Sequence, residues 1–343
     1  MEYIYKNKIL ILLLWIAAGS LIFTSCDEWT EDESVTINQP ANPDYDAYLS
    51  YLREYKNSDH KWVYAWFDNS EKAPFSRGQH MYDVPDSVDV VCLMYPEELA
   101  PFETEEMAML QHNKGTKVVY SISYDVIKKD YDQMVKEEAE VNPAYVAPLF
   151  SAYLVENVKT LLMLSESYNY DGIIVGYNGQ STAYMSEEEK EAYLANQSVF
   201  INQVTSWYGN NSGKMLVFEG NPQFLSDNSI LSSCKHIILN TLSAAYANEL
   251  SVYAQEAIVQ GMPIDRFIVS VNATSIDPAD KNTGYYGEDR ATIEAAYWVT
   301  EKAEGYTKAG LGIYNIQNDY YNIAEVYQYA KESINIMNPA PVN

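Results

Sequence analysis

Eight short runs rich in β-branched and aromatic residues, separated by helical patterns, predict an α/β chain closed into a (β/α)8 TIM barrel. Length agrees with this. Of 343 residues, about 290 follow an N-terminal leader and tether, within the range of one such barrel. No internal repeat or low-complexity segment points to another architecture.

The chain opens with a secretory signal over residues 1–25. Lys6 and Lys8 precede an apolar run from Ile9 to Phe23, which ends in Thr24, Ser25 and Cys26. The run is short for a membrane span. Its pattern resembles a bacterial lipoprotein signal, with Cys26 the lipidated first residue of the mature chain and Phe23 and Ser25 departing from the commonest lipobox. Residues 26–50 read as an acidic flexible tether. Its DEWTEDE run, Asp27–Glu33, resembles the surface-export signal of Bacteroidota lipoproteins, and an acidic run of this kind also solvates a linker. The barrel is expected over residues 51–343.

Within it, strands are expected at Trp62–Phe67, Val88–Tyr95, Lys117–Tyr124, Gly172–Tyr177, Met215–Glu219, His236–Leu242, Phe267–Asn272 and Gly310–Ile316. A helix over Thr104–Asn113 stops at Lys114–Gly115. Ala147–Tyr168 spaces Leu149, Tyr153, Leu154, Val158, Leu161 and Leu162 at helical intervals. Ser186 with Glu189 forms a capping box that opens a helix through Val204 and Trp207. Met215 to His236 is too short for a full helix with its loops, so the fifth connection should be irregular. Ala245–Gln260 and Arg290–Lys302 are helices, and Asn322–Ile336 closes the ring.

Net charge is −26, and loss of the signal, with two lysines and one glutamate, takes it to −27. Such a surface repels phosphate backbones, so nucleic acid is excluded as a partner. Cys92 and Cys234 lack CxxC or histidine spacing and read as buried thiols. His60, His80, His112 and His236 stand apart, so neither metal nor other cofactor is implied.

Tyr170–Asn178, YDGIIVGYN, has the rhythm of a buried strand followed by a polar loop. It resembles the fourth strand of the family 18 glycoside hydrolases, the chitinases and endo-β-N-acetylglucosaminidases, with signature D-G-x-D-x-D-x-E. Asp171 and Gly172 match. Ile174 and Gly176 stand at the second and third acidic positions, and Asn178 at the proton-donating Glu. No Asp or Glu lies between Ile173 and Ala183, so no change of register restores one. Lys117–Tyr124, KVVYSISY, resembles the third-strand K-V-x-x-S-I-G-G, with Ser123 and Tyr124 in place of the two glycines. Gly310–Asp319, GLGIYNIQND, resembles the eighth strand, with Tyr314 as the aromatic floor, Gln317 at its first acidic position and Asp319 at its second. His236–Ser243 falls where a sixth strand lines the acetamido pocket, without the usual Met-x-Tyr.

In that family the substrate's N-acetyl oxygen is the nucleophile, the Glu is the acid, and the Asp two residues before it orients the acetamido group. Alternation points 174, 176 and 178 to one side, into the barrel mouth. An amide has no ionisable proton to give, so Asn178 can bond a sugar but not act as general acid. The site is therefore expected to lack catalytic residues, with Asp171, Ile174, Gly176 and Asn178 marking the degenerate positions.

Ligands of such barrels sit at the carboxyl ends of the strands. The candidate contacts there are Asn178, Tyr314, Gln317, Tyr124, Glu219 and Asn240, with Tyr285 and Tyr286 added from the loop NTGYYGED. Barrel packing is the competing reading for each, although neither Asn178 nor Tyr314 is a type needed there for packing alone. The resemblance implies a cell-surface glycan-binding lipoprotein, lipid-anchored in the outer membrane. It would capture N-acetylglucosamine-containing, N-linked glycans for degradation and import, beside an outer-membrane glycan importer and a partner endoglycosidase. The alternatives are an active endo-β-N-acetylglucosaminidase using displaced carboxylates, Asp125 and Glu219, or a structural or protein-binding lipoprotein.

Overall fold

The structure, a computed structural model, describes residues 43–340. The leader, Cys26 and the acidic run Asp27–Glu33 lie outside the described residues. Strands β1 (Trp62–Phe67), β2 (Val90–Leu93), β3 (Lys117–Ser123), β4 (Gly172–Tyr177), β5 (Met215–Gly220), β6 (Ile237–Leu239) and β7 (Phe267–Asn272) pair in parallel in that order. After a separate hairpin of β8 (Tyr285–Tyr286) and β9 (Asp289–Arg290), β10 (Lys308–Tyr314) joins β7 to β1 and closes the barrel. All eight expected strands are present.

Both faces of each strand are covered, so alternation sorts side chains between two apolar layers rather than between core and water. On β4, Ile174 points inward to join Tyr64, Trp66, Val119, Val217 and Ile238. Ile173 and Val175 point outward, into the layer that holds Leu154, Val158, Phe200 and Val204 from the surrounding helices. Full burial of one such side chain stabilises the fold by roughly 1.5–3 kcal/mol. Closure depends on close backbone approach at Gly310, paired with Trp62, where a Cβ would lie 1.9 Å from the Trp62 carbonyl oxygen.

Helix α1 (Pro43–Lys56) precedes the barrel. Residues 43–50, read as the end of a flexible tether, are thus helical: Leu49 and Leu52 are buried, and the Lys56 ammonium donates to Thr116 Oγ1. Helix α2 (Pro101–Met109) ends in a π turn, Leu110–Lys114, and the chain leaves it through Gly115 at φ 67°. Helix α3 (Tyr124–Val141), absent from the expected elements, starts directly at the end of β3, where the Ser123 hydroxyl caps it by accepting from Val126 N–H. Helix α4 (Phe150–Ser167) follows. Helix α5 (Glu187–Asn210) opens on the Ser186–Glu189 capping box. The fifth connection is irregular as expected, two 3-10 turns at Pro222–Phe224 and Ser229–Ser233. Helices α6 (Glu249–Ala257), α7 (Ala291–Thr300) and α8 (Gln328–Met337) complete the ring.

Candidate functional site

A cleft of about 1010 Å³ opens at the carboxyl ends of the strands. Tyr314, at the end of β10, forms part of its lining. Its ring lies on that of Trp66 from β1, with centroids 4.1 Å apart and planes 11° from parallel. The Tyr314 hydroxyl donates to Glu219 Oε1 at the end of β5. Burial lifts the Glu219 carboxyl from its ordinary 4.5 to about 7, while the hydrogen bond from Tyr314 pulls the other way. Tyr314 is thus also a packing group, contrary to the expectation from sequence: it covers Trp66, which is 2% exposed, and partners a carboxyl.

A pH effect follows. A carboxyl whose folded value is raised contributes stability that is fully present below pH 4.5 and is lost as pH rises through about 7. Glu219→Gln should therefore flatten the fall in melting temperature across that window. An unchanged slope in thermal scans from pH 4 to 8 would place the titrating group elsewhere.

Asn178 stands just past β4 on the cleft wall. Its N–H donates to Asp125 Oδ2 at 2.7 Å, and its carbonyl accepts from Asn221 Nδ2 at 3.1 Å. Asn240 Nδ2 donates to its side-chain Oδ1 at 2.8 Å, which leaves Asn178 Nδ2 for a ligand. Gly176 sits one strand pairing from Ser123, and a Cβ built on it would meet Ser123 Cβ at 2.9 Å and Cα at 3.1 Å.

Of the residues expected from sequence, Asn178, Glu219, Asn240 and Tyr314 line the cleft together, beside Gly176. Ile174 lies beneath, inside the barrel. Asp171 is at the opposite end of β4, accepting from Gln111 and Val118 N–H and paired with Lys117. Four expected contacts are not cleft residues. Tyr124 is buried among Phe150, Tyr177 and Phe200, on the outward side of the chain with Tyr120 and Ile122, while Ser121 and Ser123 face the cleft. Gln317 Oε1 accepts from Asp68 N–H and ties two loops together. Tyr286 is packed in the outer apolar layer, and Tyr285 carries Arg290 on its ring and hydroxyl. Asp125 Oδ2 accepts from the Asn178 backbone N–H, and Asp125 is not among the residues that line the cleft with Glu219. Asp319 is buried and accepts from Ala330 N–H in α8. Sequence reasoning missed Trp66, Ser123 and Tyr95. The alternating aromatics Trp62, Tyr64 and Trp66 were the available signal for the first of these.

The family model described as glycoside hydrolase family 18, BT1044-like, matches residues 30–336. The chain belongs to this family. Among solved structures, a selenomethionine Glu-to-Gln variant of BT1044 superposes with a TM-score of 0.56 at 17% identity, covering 87% of this chain and 94% of that one. An endo-β-N-acetylglucosaminidase from Cordyceps militaris gives 0.57 at 17% identity, covering 85% and 96%. A mutant of that enzyme, solved in complex with fucosyl-N-acetylglucosamine-Asn, gives 0.56 at 17% identity over the same shares. At such identities the likeness establishes the fold. No curated protein matches the chain.

By the resemblance of these strands to those of family 18, Ser123 stands at a glycine position and Gly176 at an aspartate position. A Cβ on Gly176 would crowd Ser123 Cβ and Cα, so the two positions are coupled by packing across a single strand pairing.

Proposed function

We propose that this family 18 barrel binds an N-acetylglucosamine-containing, N-linked glycan in the cleft and holds it without cleaving it. The observation that carries this is an amide, Asn178, at the acid position, bonded to Asn240 beside an aromatic surface formed by Tyr314 over Trp66. Amides supply donors and acceptors to sugar hydroxyls, and rings stack on the apolar faces of pyranoses. Family membership and the fold it shares with endo-β-N-acetylglucosaminidases support a glycan as the ligand. The signal-like leader ending at Cys26 favours a lipid-anchored protein at the cell surface, handing glycan to an outer-membrane importer and a partner endoglycosidase.

The second reading is hydrolysis with a displaced acid. It is favoured by Glu219, a carboxyl raised to about 7 in the cleft. One experiment separates the two. The purified mature protein should bind high-mannose or complex N-glycans by calorimetry and release no free glycan from them, and its Cys26 should carry lipid by mass spectrometry. Turnover that survives Asn178→Ala and vanishes in Glu219→Gln would establish the enzyme instead.

A further inference from the structure

The cleft extends beyond its Tyr314 floor to the loop after β2, where Met94 and Tyr95 are 38% and 49% exposed. Exposed aromatic side chains on mobile loops are unremarkable, but this loop is fastened from beneath. Asn69, buried, grips the Tyr95 backbone twice: its Oδ1 accepts from Tyr95 N–H at 2.9 Å, and its Nδ2 donates to Tyr95 carbonyl at 2.8 Å. Nδ2 also donates to Glu103 Oε1 at 2.7 Å, and Glu103 is buried as well. The Tyr170 hydroxyl donates to the next carbonyl, Pro96, at 3.0 Å. Two residues after Pro96, Glu98 holds φ 49°, a conformation few non-glycine residues adopt. Buried polar groups have thus been committed to fixing the backbone of an exposed tyrosine. A ring presented this way loses little entropy on binding.

Strands β10, β1 and β2 are adjacent. Two inter-strand spacings separate the ends that carry Tyr314 and Tyr95, roughly 10 Å, room for more than one sugar ring. The exposed charges of the cleft are mostly of one sign. Among the described cleft residues, Glu97, Glu98 and Asp130 are acidic, Lys72 alone is basic, and Glu219 is a buried carboxyl raised to about 7. The charge of Lys72 is offset by Glu103, both of whose oxygens its ammonium bonds, at 2.9 and 3.0 Å. The chain's net charge of −26 reinforces the same field.

We propose that the cleft takes an extended, uncharged oligosaccharide, with Tyr95 as a second stacking platform, and rejects glycans that carry carboxylate or sulfate groups. This rests on the glycan-binding reading and narrows its ligand. Like charges facing across an interface act mainly as a filter against wrong partners.

The test uses the mature protein and two pairs of measurements. A biantennary N-glycan is titrated in desialylated and disialylated forms at low and high salt. The desialylated form should bind at least ten-fold tighter at low salt, with the gap narrowing at high salt and in a Glu97→Gln, Glu98→Gln double variant. Separately, Tyr95→Ala should weaken the desialylated glycan about ten-fold at unchanged melting temperature. Equal binding of the two forms overturns the charge filter, and wild-type affinity in Tyr95→Ala overturns the platform. If neither form binds, the glycan-binding reading itself falls.

Discussion

Tyr314→Ala should weaken glycan binding ten-fold or more, on the order of 1.4 kcal/mol. The substitution removes the aromatic floor, uncovers Trp66 and strips Glu219 of the hydroxyl that bonds it. Because the ring also packs, some loss of melting temperature should accompany the loss of affinity. Tyr314→Phe separates the two effects. It keeps the ring on Trp66 and deletes only the donor, so affinity should fall less. The Glu219 carboxyl should then titrate higher still, because the one interaction pulling its value down has gone. Calorimetry reads the first effect and carboxyl infrared or NMR titration the second. Wild-type affinity in the alanine variant would mean that the ligand binds elsewhere.

Gly176→Asp should destabilise the protein by roughly 1–3 kcal/mol, the usual cost of overpacking. Even the first carbon of the new side chain would meet Ser123 Cβ at 2.9 Å and Cα at 3.1 Å, on the neighbouring strand. Ser123→Gly on its own should cost only a few tenths of a kcal/mol, as for other caps replaced by glycine. The double variant should be more stable than the sum of the two predicts, a coupling that a double-mutant cycle measures directly. Additive effects would show that the serine does not fill the aspartate's space. Asn178→Glu by itself should not restore cleavage, since no carboxylate then orients an acetamido group beside it.

The barrel was legible in the sequence because strands buried on both faces read as short, continuous apolar runs set between helical patterns. Runs such as Gly172–Tyr177 and Phe267–Asn272 are bounded by polar loops, and their ends in the structure agree to the residue. Helix α3 was missed. Its apolar residues Tyr124, Ile127, Tyr131 and Met134 do recur at helical spacing, but the resemblance of Lys117–Tyr124 to a strand drew attention from the segment that follows. Tyr124 was misplaced because alternation along β3 was not applied to it: Ser121 and Ser123 face the cleft, and Tyr124 falls on the outward side with Tyr120 and Ile122. Asn178, Glu219, Asn240 and Tyr314 were found because strand ends converge in a barrel whatever their neighbours. Tyr95 was missed because what distinguishes it is the buried Asn69–Glu103 support, contacts 26 and 34 residues apart in sequence.

The tight pairing of Ser123 with Gly176 bears on history as well as chemistry. A lineage that regained the aspartate first would pass through a crowded, less stable protein. One that regained the glycine first would surrender the hydroxyl that starts α3, with no catalytic benefit until two further codons changed. The two routes are unequal: the serine can be surrendered at almost no cost in stability, whereas the aspartate cannot enter while the serine remains. Order, and not only identity, governs which substitutions this pair of strands admits.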